Sequence, residues 1–384
     1  MRGLLFSIFV CLPLGCFTEA NSRKSGSLPS EDHDASIADM GEPEDARPDQ
    51  RKPQDAALPT DAHDASDRDV RVDARTDPDD GPPPFVLSTC SSPVLDSLTK
   101  EGAPARNSDG YEVPSDVVLG NFQESIASAL DGNLESAESY AQSADYSLCR
   151  GSGDESNLLL WMPRDRGTGQ AQFVIRIGDA AALVLGVPHP HFEADVLVEG
   201  VEIFAATRAR ALVVSGTHRC ANENASSCDG STSVCSDSSA AYRESDQAHV
   251  VDSTFQRAHE VVYDRFPEPV VISLHGMRRD GISLSNGTTQ AVDPDSPVAT
   301  LATSLLEAFP DETITTCNGY EGANREIHLC GTTNTQGRYA NGSADACEDA
   351  AGQAMGRFVH MEQSRSVRGE RAKVASAFVA WLAR

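Results

Sequence analysis

The sequence is short of positive charge. Its 31 Lys and Arg face 58 Asp and Glu, giving a formal net charge of -27, and no basic stripe interrupts the excess. Such a chain repels phosphate backbones, which argues against nucleic acid as a partner. Aromatic residues are scarce, at 6%. The shortage lies mainly in the acidic N-terminal part, so the remainder can still build an ordinary core. After residue 16 no apolar run approaches the ~20 residues that cross a bilayer. Several catalytic signatures are missing as well. There is no Walker A loop, and GSGDES at 151–156 does not complete a dinucleotide fingerprint. GISLSNG at 281–287 misplaces the glycines of a serine-hydrolase elbow. HEVVY at 259–263 puts Tyr263 where the second His of a zinc helix must stand. No C-x-x-C pair occurs, which argues against a zinc ribbon or a thioredoxin-like site.

What is present begins with an export signal. One Arg, the apolar run LLFSIFVCLPL and the small residue Gly15 before Cys16 read as a secretory signal over residues 1–16. Leu12-Pro13-Leu14-Gly15-Cys16 resembles the bacterial lipobox, which implies acylation of Cys16 and a lipid anchor without a spanning helix. Cleavage after Thr18-Glu19-Ala20 is the competing reading. Residues 17–84 repeat Asp-Ala and Asp-Pro fragments with almost no apolar periodicity. They cannot bury enough apolar surface to offset their ordering entropy and read as a disordered acidic stalk. The expected protein is exported and held at a bacterial cell envelope or surface.

Residues 85–384 hold Cys90, Cys149, Cys220, Cys228, Cys235, Cys317, Cys330 and Cys347. An even number in an exported chain predicts up to four disulfides, with the pairing left open. The same 300 residues suit one α/β domain. A helical pattern runs over 118–147, with Gly132 as a possible break, and three β-rich runs at 158–163, 171–178 and 181–188 suggest an antiparallel meander. Strand and helix then alternate. Helices are expected over 193–208, 253–266, 297–309 and 368–384, with strands at 209–216, 269–274, ETITTC and 358–362. Continuous apolar strands predict a mixed, mostly parallel central sheet with helices on both faces.

Ligands of such sheets bind outside the carboxyl ends of the strands. Three expected strand ends carry His: VPHPHFE at 187–193, GTHR at 216–219 and LHGM at 274–277. Two His and one carboxylate suit catalytic zinc, which keeps a fourth position for water. His189, Glu193 and His275 make one such set, and His191 with Asp195 is the alternative local pair. Imidazole is a poor calcium ligand. On the strand FVHME, His360 and Glu362 share a face, which offers Glu362 as general base. Arg338 and Asn334 in NTQGRY suit a substrate carboxylate, and Arg219 could do the same or stabilise an oxyanion.

VPHPHFE, LHGM and FVHMEQS resemble the N-formylglutamate amidohydrolase branch of the zinc carboxypeptidase-like hydrolases, over roughly residues 158–365. That resemblance implies an eight-stranded mixed sheet, with zinc on His189, Glu193 and His275 and Glu362 as base. It also implies Arg338 or Arg219 as the carboxylate or oxyanion partner. Carboxypeptidases separate the first His and Glu by two residues, whereas three stand between them here, and their Asn–Arg pair comes earlier in the chain. The expected activity is hydrolysis of an amide bond in a substrate carrying a free carboxylate. The rival expectation is a non-catalytic surface binding lipoprotein that keeps the fold.

Overall fold

The structure, a computed structural model, describes residues 85–99, 102–319, 325–326 and 329–384. The signal segment, Cys16 and the stalk at 17–84 lie outside the described residues. Twelve strands are described: β1 Tyr146–Arg150, β2 Leu158–Pro163, β3 Gln172–Arg176, β4 Ala181–Val187, β5 Ala209–Val214, β6 Ser231–Thr232, β7 Ala240–Ala241, β8 Val270–Gly276, β9 Ile282–Ser285, β10 Ile314–Cys317, β11 Arg325–Glu326 and β12 Phe358–Gln363. Ten of them form one mixed sheet in the order β1-β2-β3-β5-β4-β8-β12-β9-β10-β11, and β6 pairs only with β7. The centre, β5-β4-β8-β12, is parallel throughout, and β12 then meets β9 antiparallel.

The helices are α1 Val94–Leu98, α2 Asp116–Leu130, α3 Leu134–Ser143, α4 Val196–Thr207, α5 Thr254–Arg265, α6 Pro297–Ala308, α7 Thr335–Ala340, α8 Arg365–Gly369 and α9 Arg371–Leu382. Alternation along the central strands sorts them into two layers. On one face Leu185, Leu212, Leu274 and Met361 pack with Ile203 of α4, Leu301 of α6 and Phe378 of α9. On the other Val184, Val213, Val271 and Phe358 pack with Phe122 of α2, Ala137 of α3 and Phe255 of α5. Both faces are therefore covered, as continuous apolar strands require.

Local chemistry sets the boundaries. Gly132, with φ +82°, divides the first helical pattern, and Asn133 caps α3 by accepting from Ser136 N. Ser253 caps α5 and Ser296 caps α6, where Pro297 needs no N–H partner. Four elements depart from the sequence expectation. Residues 146 and 147, the end of the expected helical pattern, belong instead to β1. The antiparallel meander is β1-β2-β3 rather than the expected β2-β3-β4, because β4 pairs parallel with β5 and β8; its buried Leu183, Val184, Leu185 and Val187 suit a central strand. Helix α4 starts at Val196 rather than residue 193, and the closing helix breaks into α8 and α9. The sheet also exceeds the eight strands implied by the resemblance.

The eight cysteines pair as Cys90–Cys149, Cys220–Cys235, Cys228–Cys347 and Cys317–Cys330, with Cα–Cα distances of 4.4–5.4 Å. Four disulfides fit an oxidising environment outside the cytoplasm. Among the described residues no helix is long and apolar enough to cross a membrane.

Beneath the carboxyl edge of the sheet lies Glu199 of α4, fully buried and accepting from Gln363 Nε2 at 2.8 Å. Burial pushes its carboxyl up to about 7 from the ordinary 4.5, although Gln363 and Arg368 oppose the rise. Folding therefore takes up a proton here. The associated stability is complete below about pH 4.5 and is lost as pH rises toward about 7. In Glu199→Gln, urea unfolding at pH 5 and pH 8 should lose that slope. The variant should exceed the wild type at pH 8 by on the order of 2–3 kcal/mol.

Candidate metal centre

The parallel strands end side by side, and on one of their faces the apolar pattern stops short of the end. Val271 of β8 and Phe358 of β12 are core residues, but the next residues on the same face are Ser273 and His275, and His360 and Glu362. The register aligns His360 with Ser273 and Glu362 with His275. Beyond β4 the chain turns tightly, with Glu193 N donating to His189 O at 3.0 Å. One helical turn of this kind puts residues i and i+4 on one side. The three-residue spacing thus brings the His189 and Glu193 side chains together. His189, Glu193, His275, His360 and Glu362 line a cleft of about 100 Å³ that opens to solvent.

His189 Nδ1 lies 2.8 Å from Glu193 Oε1, and His275 Nδ1 lies 3.7 Å from the same oxygen. One ligand atom from each of the three lies within 4.8 Å of the others, and all three side chains are buried. A second such group comprises His275, His360 and Glu362. The far side of each ring is held. His189 Nε2 lies 2.7 Å from Asp246 Oδ1, and His275 Nε2 lies 2.9 Å from Ser273 Oγ. Oxygen partners behind the imidazoles fix their orientation, which is how metal-binding His residues are presented. Glu193 Oε2 accepts from Gly276 N at 2.8 Å, tying the first strand end to the second. The group can hold a metal ion.

Electrostatics follow from this packing. Burial and the Arg219 guanidinium push His189 down, but Glu193 and Asp246 outweigh them and raise it to about 9. Burial alone would raise Glu193 and Asp246. His189 brings Glu193 well below the usual carboxylate range, and Arg219 and then His189 do the same for Asp246. Burial lowers His275, and burial with the neighbouring His275 and His249 lowers His360 further. Gly331, with φ +63°, allows a loop to close over His360, because a Cβ there would sit 2.8 Å from the ring.

Of the residues singled out from sequence, His189, Glu193, His275, Arg219 and Glu362 all line the cleft. Arg219 is bound to Asp246 Oδ2 through Nε at 3.0 Å and a terminal nitrogen at 2.6 Å. It acts on the carboxylate that holds His189. Arg338 and Asn334 do not line the cleft, which corrects the expectation that they meet a substrate carboxylate. Arg338 binds Thr332 O, Cys347 O and Asp229, and so joins loops around the Cys228–Cys347 bridge. Asn334 caps α7 through Gly337 N. The local alternative also falls away, since neither His191 nor Asp195 lines the cleft. Sequence reasoning missed Asp246, Ser273, Tyr242, His249, Thr333, Arg278 and Arg279. Arg278 and Arg279 directly follow the LHGM strand end, a signal that was available. Asp246 and His249 sit in a polar insert with no periodicity to place them.

No family model and no curated protein matches the sequence. Among solved structures, a gene product of Agrobacterium tumefaciens aligns over 53% of this chain and 89% of its own, at 13% identity and a TM-score of 0.28. A likeness that slight assigns neither fold nor activity.

The Asp246–His189 contact makes a direct prediction. Asp246→Asn should weaken any metal binding here about 10- to 100-fold, with zinc as the probe in competition with a chromogenic chelator, while circular dichroism stays native. Unchanged affinity would remove His189 from the ligand set.

Proposed function

We propose that the cleft is the active site of a zinc-dependent amidohydrolase or carboxypeptidase-like hydrolase acting outside the cytoplasm. The observation that carries this reading is the convergence of His189 Nδ1, His275 Nδ1 and a Glu193 oxygen, with both Nε2 atoms held from behind. Two imidazole nitrogens and one carboxylate oxygen fit zinc and fit calcium poorly. When bound, zinc polarises a carbonyl and brings the pKa of water to about 7.

The chain's own residues supply the rest. Glu362, aligned with His275 across neighbouring strands, accepts the proton of the attacking water and passes it to the leaving amine. Asp246 and Ser273 keep the two imidazoles in their tautomers and orientations. Arg278 and Arg279 line the exposed rim of the cleft in a chain whose overall charge is negative. A carboxylate on the substrate suits them, because guanidinium pairs with it bidentately. N-acyl amino acids and peptide ends have that chemistry. Lipidation of Cys16 would place the reaction at the cell envelope.

One observation favours the second reading, a binding domain without catalysis. His189 bridges two carboxylates at hydrogen-bond distance, an arrangement that a protonated imidazole satisfies by itself. Metal analysis separates the two. One equivalent of zinc in the wild type, lost in His275→Ala, is expected. Glu362→Gln should keep the metal and lose about 100-fold or more in kcat on N-acyl amino acids. A folded, disulfide-intact protein that takes up no zinc on incubation would sink the hydrolase reading.

A further inference from the structure

The cleft that holds the three proposed ligands has a further wall that the reaction described above does not use. It comes from the polar insert, which two disulfides pin at Cys220–Cys235 and Cys228–Cys347. Just after Cys228, Gly230 adopts φ +116° and packs against Tyr242, where a Cβ would come within 2.5 Å of the ring. Tyr242 also stacks on His249, with centroids 3.5 Å apart and planes 7° apart. The Tyr242 and Thr333 hydroxyls are 3.0 Å apart. The imidazole is thus fixed in position and in rotation.

Its protonation follows from its partner. His249 Nδ1 lies 3.0 Å from the carbonyl oxygen of Thr333, which can only accept, so Nδ1 carries the proton. Burial lowers the ring to about 3, which keeps it neutral at pH 7 and leaves a lone pair on Nε2. No hydrogen bond to Nε2 is found among the described residues, and the residue, 9% exposed, stands in the wall of the open cleft. His249 lines the cleft beside His275, His360 and Glu362.

We infer that His249 is a substrate-binding residue whose Nε2 accepts a hydrogen bond from a substrate N–H. The inference rests on the hydrolase reading and narrows its substrate class. The cleft selects secondary amides, which offer an N–H, over esters and N-alkylated amides, which do not.

The test uses the full chain loaded with zinc, in a Glu362→Gln background so that ligands stay intact. Calorimetric titration compares an N-acetyl amino acid with the ester isostere in which oxygen replaces N–H. The amide should bind roughly three- to tenfold more tightly, the equivalent of one neutral hydrogen bond. His249→Phe keeps a ring to stack on Tyr242, and it should weaken the amide alone and erase the difference. In the same Glu362→Gln protein the side-chain ¹⁵N signals of His249 should show a protonated Nδ1 and a bare Nε2 that shifts with the amide and not with the ester. Equal affinity for the two ligands, equal weakening of both by His249→Phe, or binding of neither would overturn the inference. An intact amide preference without zinc-dependent turnover would instead overturn the hydrolase reading alone.

Discussion

The His189 ring held between Glu193 and Asp246 is the interaction on which the site depends. Four ionisable groups, His189, Glu193, Asp246 and Arg219, are buried together there. An isolated charge in that setting costs several kcal/mol, so each is tolerable only beside the others. The network also joins elements far apart in sequence. Glu193 reaches the backbone of Gly276 at the end of β8, and Asp246 reaches Arg219 just past β5. Three strand ends and one long loop are fixed by the same few hydrogen bonds.

That loop has little apolar surface of its own with which to hold a place. Disulfides and directed polar contacts do the work instead. Arg338, fully buried, binds the carbonyl of Cys347 and the carboxylate of Asp229, next to the Cys228–Cys347 bridge. A covalent tie lowers the entropy of the unfolded loop, and an oxidising compartment keeps the tie closed. An oxidising environment and the site geometry are linked in this way, since the loop that aligns His189 and carries His249 is held by bonds that a reducing cytoplasm would open.

Much of the fold was legible. The runs LLLWMP, AALVLGV and PVVISL are apolar enough to be strands buried on both faces, and β2, β4 and β8 fall on them. The helix break at Gly132 also follows from local chemistry. Strand β1 was hidden because its first two residues close a helical pattern, and its pairing with β2 prevails over that local preference. The position of β4 beyond β5 was not legible either, since a short connection after β3 resembles a hairpin in sequence. In the site, His189, Glu193, His275 and Glu362 could be found because each lies at a strand end or one turn beyond it. Asp246 could not, because its contact with His189 spans 57 residues and a disulfide-bound loop.

By itself the sequence determined the alternation of strand and helix, the surplus of acid, the cysteine framework and the His residues at strand ends. These are local properties, set by side-chain periodicity, turn residues and composition. Tertiary structure alone decided which cysteines pair, that Arg338 supports a loop rather than meeting the cleft, and that Asp246 and Ser273 stand behind the two imidazoles. The physical reason is that hydrogen bonds and ion pairs act over about 3 Å in space. Once the chain has folded, that distance bears no relation to separation along it.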